Sequence, residues 1–478
     1  MPIDSALGAL AFPVKLSSGT SDHSVLSPTL VVMVGLPARG KTSMAIKLAR
    51  YLNWLGFPTR IFNAGQYRRE SVKSYKSHEL FAPTNEEGVN IRRHCARAAL
   101  HDARWYLSEA GGKVAIFDAT NTTRERRAMI LELNQDWGCK VLFVESLCDD
   151  ADVISANIKQ VKLNNRDYST FSRDAAMTDF RKRIECYEAA HEPLDENFDR
   201  KLSYIKVVDG GCHLIVNKLA SHMQSKIAIC LMSLRLCSRS VYLWQLEGDS
   251  GRPGSDSTRN WQFVEALAQY IHKEDAVKIG LPVWSGHHVS SSHVAQSLGL
   301  PVQHWCELDG VDMNDCILSS NEASQHFRDG FARREGPIHQ TSKQENYGDV
   351  VRRLEPLVLE LERQCGALVL CSEMELRILL AYFLDVGRDD VMHLKCTKHT
   401  VFKLTPTPYG CKMETVHLSL EPTNGHRTES MDIVWTAAGS PSARVSHFED
   451  RQMSGTLCAE ISSPLLAQVR CSLKVEPW

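Results

Sequence analysis

Two successive α/β domains are predicted by this 478-residue sequence, the first a mainly parallel sheet built around a phosphate-binding loop. Three observations predict it. Short apolar runs alternate with longer segments of helical periodicity, the pattern of buried strands covered by helices. A glycine-bounded octapeptide at residues 35–42 joins the first run to the first helical segment. The alternation starts afresh near residue 240, and the chain exceeds the roughly 250–300 residues at which one hydrophobic core stops growing.

Taken in order, residues 1–28 are rich in Ser, Gly and Pro without periodicity and are expected to form a flexible leader. Order is expected from Leu30. The runs Leu30–Val34, Thr59–Asn63, Val114–Asp118, Val141–Ser146 and Ile205–Val208 read as strands of the first domain, residues 29–236. Helices are expected over Lys41–Leu55, stopped at Gly56, and over Asn85–Glu109. A second α/β domain, residues 237–420, is expected from the strand signals Ser240–Leu243, Val283–Trp284 and Ala367–Cys371. Its helical segments are Trp261–His272 and Tyr347–Gln364. Beyond about Glu421 the pattern dissolves into polar residues, and 421–478 is expected to be a largely irregular tail with weak strand-like patches such as Ile433–Trp435.

Composition narrows the function. Fifty-five basic residues face 57 acidic ones, a formal net charge of −2, so no global field grips nucleic acid or an anionic membrane, and neither partner is expected. Phosphate binding has to be local. The longest apolar stretches, such as Ile227–Leu234, fall well short of the roughly 20 residues of a membrane span. Fifteen cysteines lie scattered without a C-x-x-C pair, which suits reduced thiols and a cytoplasmic location.

The sharpest signal is Gly35-Leu36-Pro37-Ala38-Arg39-Gly40-Lys41-Thr42, which fits G-x-x-x-x-G-K-[ST] between a strand and a helix. Glycines let the backbone curl so that N–H groups and the helix N-terminus face a polyphosphate; Lys41 supplies charge and Thr42 a hydroxyl for Mg²⁺. ATP and Mg²⁺ are the cofactors expected. Asp118 closes an apolar strand, where such folds hold the carboxylate that organises Mg²⁺ or accepts the acceptor's proton. The following loop, Ala119 to Arg127, packs hydroxyls with Arg124, Arg126 and Arg127. With Tyr67-Arg68-Arg69 and Ile91-Arg92-Arg93 it suits a phosphorylated acceptor.

Together, Gly35–Thr42, Tyr67-Arg68-Arg69-Glu70, Asp118 to Arg127 and Arg183-Ile184-Glu185-Cys186-Tyr187-Glu188 resemble the kinase half of the 6-phosphofructo-2-kinase/fructose-2,6-bisphosphatase family. The likeness covers about residues 29–236 and resumes in segments to about 420. It implies MgATP and fructose 6-phosphate as substrates and fructose 2,6-bisphosphate as product. It further implies sugar-phosphate contacts from Arg68, Arg92, Thr120, Arg126, Lys162, Arg183 and Tyr187, a catalytic role for Asp118, Cys148 at the active site, and Asn157–Lys162 along the nucleotide. Lys41 and Lys162 are expected to neutralise the transferring group. A homodimer is expected.

By the same resemblance the second domain is a histidine-phosphatase-like, phosphoglycerate-mutase-like α/β domain, whose first strand runs into Arg-His-Gly. Here Val241-Tyr242-Leu243 leads into Trp244-Gln245-Leu246-Glu247-Gly248. Leu246 stands where the nucleophilic histidine belongs, Gln245 replaces the phosphate-gripping arginine, and leucine has no lone pair to attack phosphorus. The second histidine's place, after Leu368-Val369-Leu370-Cys371, holds Ser372. Glu307 and Arg377 persist, but neither replaces a nucleophile. His287, His288 and His293 lack carboxylates or cysteines at ligand spacing and are not expected to bind metal. The expectation is a sugar-phosphate 2-kinase carrying a pseudophosphatase. Its rivals are a bifunctional enzyme using displaced residues and a silent partner that binds ligands without turnover.

Overall fold

The computed structural model describes residues 27–72, 75, 77–159, 166–235, 240–246, 256–274, 280–286, 289–309, 346–364, 366–407, 409–418, 427–435 and 441–445. The predicted leader lies almost wholly outside them, as do Lys162, Glu247, Gly248, His287 and His288.

In the first domain β1 (Thr29–Val34), a run of apolar residues after Thr29, is buried along its whole length and passes through the glycine loop into α1 (Lys41–Trp54). There follow β2 (Thr59–Asn63), α2 (Ala64–Ser71), α3 (Glu86–Ser108), β3 (Val114–Asp118), α4 (Arg124–Asn134) and β4 (Lys140–Leu147). α5 (Ala151–Asn157), α6 (Arg173–Glu188), β5 (Tyr204–Val208), β6 (His213–Asn217) and α7 (His222–Ser233) complete it. Local chemistry sets the helix starts. Asn63, Asn85, Thr123, Ser172 and Ser221 each accept a backbone N–H at a helix N-terminus. The predicted helix over 85–109 is α3, whose Cys95, Ala96, Ala99, Leu100, Ala103 and Leu107 share a buried face. The sheet order is β2-β3-β1-β4-β5-β6, parallel except for the edge strand β6. β1 is central, and the chain leaves it first toward β3 and β2 and later toward β4. The glycine loop therefore sits where the winding reverses, the place where open α/β sheets bind ligands.

The second domain contains β7 (Val241–Gln245), α8 (Asp256–Lys273), β8 (Val283–Ser285), α9 (Val289–Leu298), β9 (Val302–His304), α10 (Tyr347–Arg363), β10 (Leu368–Cys371) and α11 (Glu373–Leu384). Then come β11 (Thr400–Thr407), β12 (Gly410–His417), β13 (Arg427–Trp435) and β14 (Pro441–Val445). Its sheet runs β14-β13-β12-β11-β7-β10-β8-β9, with a parallel half from β7 to β9 and an antiparallel half built outward from β11. This corrects the expectation of an irregular segment from 421: residues 427–435 pair in register with β12, Met431 opposite Met413, and 441–445 pair with β13. Arg427-Thr428-Glu429-Ser430 opens β13 with polar residues, so apolar patterning shows only its end, Ile433–Trp435. Ladder bonds from β12 make it a strand.

The two sheets share one apolar core. A single cluster runs from Val31, Met33, Leu48 and Leu52 to Leu357, Leu361, Leu376 and Leu380. Polar anchors from α1 cross the same boundary. Trp54 donates its indole N–H to the Ile378 carbonyl at 3.2 Å, and the Tyr51 hydroxyl donates to Glu355 at 2.5 Å. No described helix is long and apolar enough to cross a membrane.

Candidate active site

The loop after β1 is held by its neighbours. Gly35 has φ +127°, and a Cβ there would lie 2.6 Å from the Ser146 carbonyl oxygen at the end of β4, so only glycine fits. Its N–H donates to the Thr120 carbonyl at 2.9 Å, tying the loop to the segment after β3. Gly40, at φ 85°, caps α1 without a side chain, which leaves the first N–H groups of the helix facing outward. Asn157 donates to the Ala38 carbonyl at 3.0 Å, the Ser146 hydroxyl donates to the Arg39 carbonyl, and the Lys41 ammonium donates to the Leu36 carbonyl.

These elements open into one cavity of about 1440 Å³. That exceeds the roughly 300–1,000 Å³ of a single small-ligand site and leaves room for two substrates. Pro37 to Thr42, Asp118, Thr120 and Asn157 line it together with Arg68, Arg92, Arg126, Arg183 and Tyr187. The nucleotide and acceptor residues expected from sequence thus converge, Lys162 being outside the described residues. Gly35 and Leu36, also expected at the nucleotide, are not among the lining residues; they tie the loop internally through Thr120 and Lys41. Asp118 is 3% exposed and accepts from Asn63 Nδ2 at 2.5 Å, so β2 and β3 together aim its second oxygen.

Positive charge is concentrated on the side away from the loop. Burial, and then neighbouring guanidiniums, holds Arg69, Arg92 and Arg126 below the usual arginine range. A cluster of like charges that disfavour one another is a site prepared for an anion. Asp167 offsets part of it: Arg68 donates to Asp167 through both terminal nitrogens, one at 2.9 Å, and Arg183 lies 3.8 Å from the same carboxylate. The Arg183 guanidinium also stacks 3.8 Å over Phe81. Nη1 of Arg39 and Nε of Arg183 are buried without a hydrogen-bond partner. Two orphaned guanidinium donors, a glycine cradle and the Thr42 and Asp118 oxygens are the donor set a magnesium nucleotide and a phosphate ester require.

Three features escaped sequence reasoning. Asp167 bore no motif. Asn63 signalled only as a strand end. Tyr409, in the β11–β12 turn, reaches from the second domain into the cavity wall; burial and then the Asp118 charge push its hydroxyl above the ordinary tyrosine range. Cys148 is placed differently from the expectation. It lies beyond β4, outside the cavity lining and 8% exposed, with burial raising its thiol, so it has the surroundings of a small apolar side chain.

In the second domain Gln245 ends β7 with its Oε1 buried and unpartnered, and the Ser285 hydroxyl at the end of β8 is likewise unpartnered. Leu246 is buried among Trp244, Leu267 and Ile271. Ser372 is the N-cap of α11, in a capping box with Glu375. The Glu307 carbonyl accepts from Arg353, which also pairs with Glu375 at 2.9 Å, while Arg377 is engaged by Glu373 at 2.7 Å. Among the described residues no group of three or more His, Cys, Asp or Glu could hold a metal ion.

Two family profiles match the chain: 6-phosphofructo-2-kinase over residues 17–238, which reaches into the predicted leader, and the histidine phosphatase superfamily (branch 1) over residues 264–419. The chain is 47% identical over 420 residues to 6-phosphofructo-2-kinase/fructose-2,6-bisphosphatase 1 of Homo sapiens, covering 85% of this chain and 88% of that one. It is 48% identical over 417 residues to form 4 of Rattus norvegicus, with the same coverages. The Gallus gallus enzyme is 46% identical over 417 residues, again covering 85% and 88%.

Proposed function

The chain belongs to the 6-phosphofructo-2-kinase/fructose-2,6-bisphosphatase family, and from that premise we propose that it phosphorylates fructose 6-phosphate at the 2-position with MgATP and no longer hydrolyses the product. The observation that carries the first half is the single cavity in which the glycine loop faces the arginine cluster. Phosphoryl transfer needs positioning and charge neutralisation rather than covalent help from the protein. The loop N–H groups and Lys41 hold the triphosphate, Arg92, Arg126 and Arg183 fork onto the sugar phosphate, and Asp118 supplies the carboxylate at the point of transfer. Thr42 and Asp118 would hold Mg²⁺, which when bound offsets charge on the transferring group. Lys162, outside the described residues, is assigned the same neutralising role by the family resemblance. Leu246 and Ser372, in place of two histidines, carry the second half. The cysteines, which form no disulfide among the described residues, support the cytoplasm as the working compartment.

The test measures synthesis and breakdown of fructose 2,6-bisphosphate on one purified sample. Synthesis without breakdown is expected, and nucleotide binding without any product would overturn the assignment.

The homodimer forms, in this reading, along the free edge of the first sheet. β6 exposes Ile215 (40%) and Val216 (46%), and α7 beside it exposes Met232 (56%). An edge strand with uncovered apolar residues is a template for pairing with a second copy. Val216→Lys is expected to convert a dimer to a monomer by sedimentation velocity; an unchanged dimer would place the interface elsewhere.

A further inference from the structure

The buried charges of α1 do not end in its own domain. The Glu362 carboxylate, near the end of α10 in the phosphatase-like domain, is 7% exposed. It accepts from Lys47 Nζ at 2.8 Å, from Arg50, and from the Tyr382 hydroxyl at 2.8 Å. Lys47 donates also to the Arg235 carbonyl at 3.0 Å, and the Arg50 guanidinium lies 4.5 Å over the Tyr382 ring. Burial alone would raise the Glu362 carboxyl; the Lys47 and Arg50 charges outweigh it and hold the group at about 2, fully ionised at neutral pH.

Such a triad is poor value as plain stabilisation, because apolar side chains of similar volume often do as well. Its distinguishing property is direction: two cations on one helix are fixed to one carboxylate, which sets the helix's axial position and rotation. α1 is the helix whose first residues are Lys41 and Thr42. Lys47 lies about 8 Å along it from Thr42 at 1.5 Å per residue. A helix moves as a rod over that length, so a shift at Glu362 reaches the phosphate loop undiminished.

We propose that Glu362 is a positioning residue for the kinase, holding the phosphate-loop helix in register through Lys47 and Arg50, so that the domain lacking its histidines remains a working part of the nucleotide site. The inference rests on the kinase assignment for its activity arm, while its binding arm stands apart from turnover.

The test compares wild type, Glu362→Gln and the apolar triple variant Lys47→Met/Arg50→Met/Glu362→Met in the full chain. Readouts are Tm, binding of a non-hydrolysable ATP analogue, and separate KM values for ATP and fructose 6-phosphate. Glu362→Gln is expected to weaken the analogue about tenfold and raise the ATP KM similarly, with the fructose 6-phosphate KM within twofold. Glu362→Asp is expected to recover part of the loss. If Glu362→Gln does not fold, the triple variant, which leaves no unpaired buried charge, decides and is expected to show the same split at near wild-type Tm. A folded variant with wild-type analogue affinity and KM values, or one that loses both substrates equally, would overturn the proposal. Wild type without product, alongside weaker analogue binding by the variant, would sink the kinase assignment and leave this inference standing.

Discussion

Lys41→Ala is expected to lower fructose 2,6-bisphosphate synthesis by about 10³-fold, roughly 4 kcal/mol of transition-state stabilisation. Lys41 is the first residue of α1, 6% exposed, on a loop whose neighbours leave it little freedom. Its ammonium is the only side-chain cation in the first turn of that helix, so no other first-turn residue replaces the charge when it is removed. Because the charge that builds up during transfer lies on the phosphoryl oxygens, kcat should carry most of the loss, and the protein should keep its fold and its sugar-phosphate binding. A rate within about tenfold of wild type would mean that the loop is not where transfer occurs.

Incubation with fructose 2,6-bisphosphate labelled at the 2-phosphate is expected to release no phosphate and leave no phosphate on the protein. Losing a nucleophile from a concerted site costs on the order of 10⁴- to 10⁶-fold. Leu246 is a packed apolar side chain, Gln245 carries no charge, and Ser372 is committed to capping α11. Leu246→His alone is expected to change nothing, since it would stand without a partner or an anion grip. Gln245→Arg/Leu246→His/Ser372→His is expected to gain acid-labile phosphate on the new histidine. Steady release by the unmodified chain would restore the bifunctional alternative.

Much of this is legible in the sequence. A glycine loop between an apolar strand and a helix is a local pattern, and local patterns survive in sequence. So do strands buried on both faces, such as Leu30–Val34 and Val114–Asp118, which read as uninterrupted apolar runs. The arginines were visible as types, but their convergence needed the topology that brings α2, α3, α4 and α6 to one end of the sheet. What stayed hidden was long-range. Asp167 meets Arg68 from 99 residues away, Glu362 meets Arg50 from 312, and Tyr409 enters a cavity built by the other half of the chain. None of these has a short-range signature, because each depends on where two distant backbones are held. β13 is legible only at its end, in the strand-like patch Ile433–Trp435, because its polar opening residues are ordered by the neighbouring strand.

The core that runs unbroken from Val31 to Leu380 carries a genetic corollary. A stop codon or frameshift in the downstream half would strip apolar cover and counter-ions from α1, so a transcript cut after residue 236 should yield a product without kinase activity. Inheritance of the phosphatase-like half is then policed by the kinase half, and missense changes around Leu357 or Leu376 should register as lost sugar-bisphosphate synthesis.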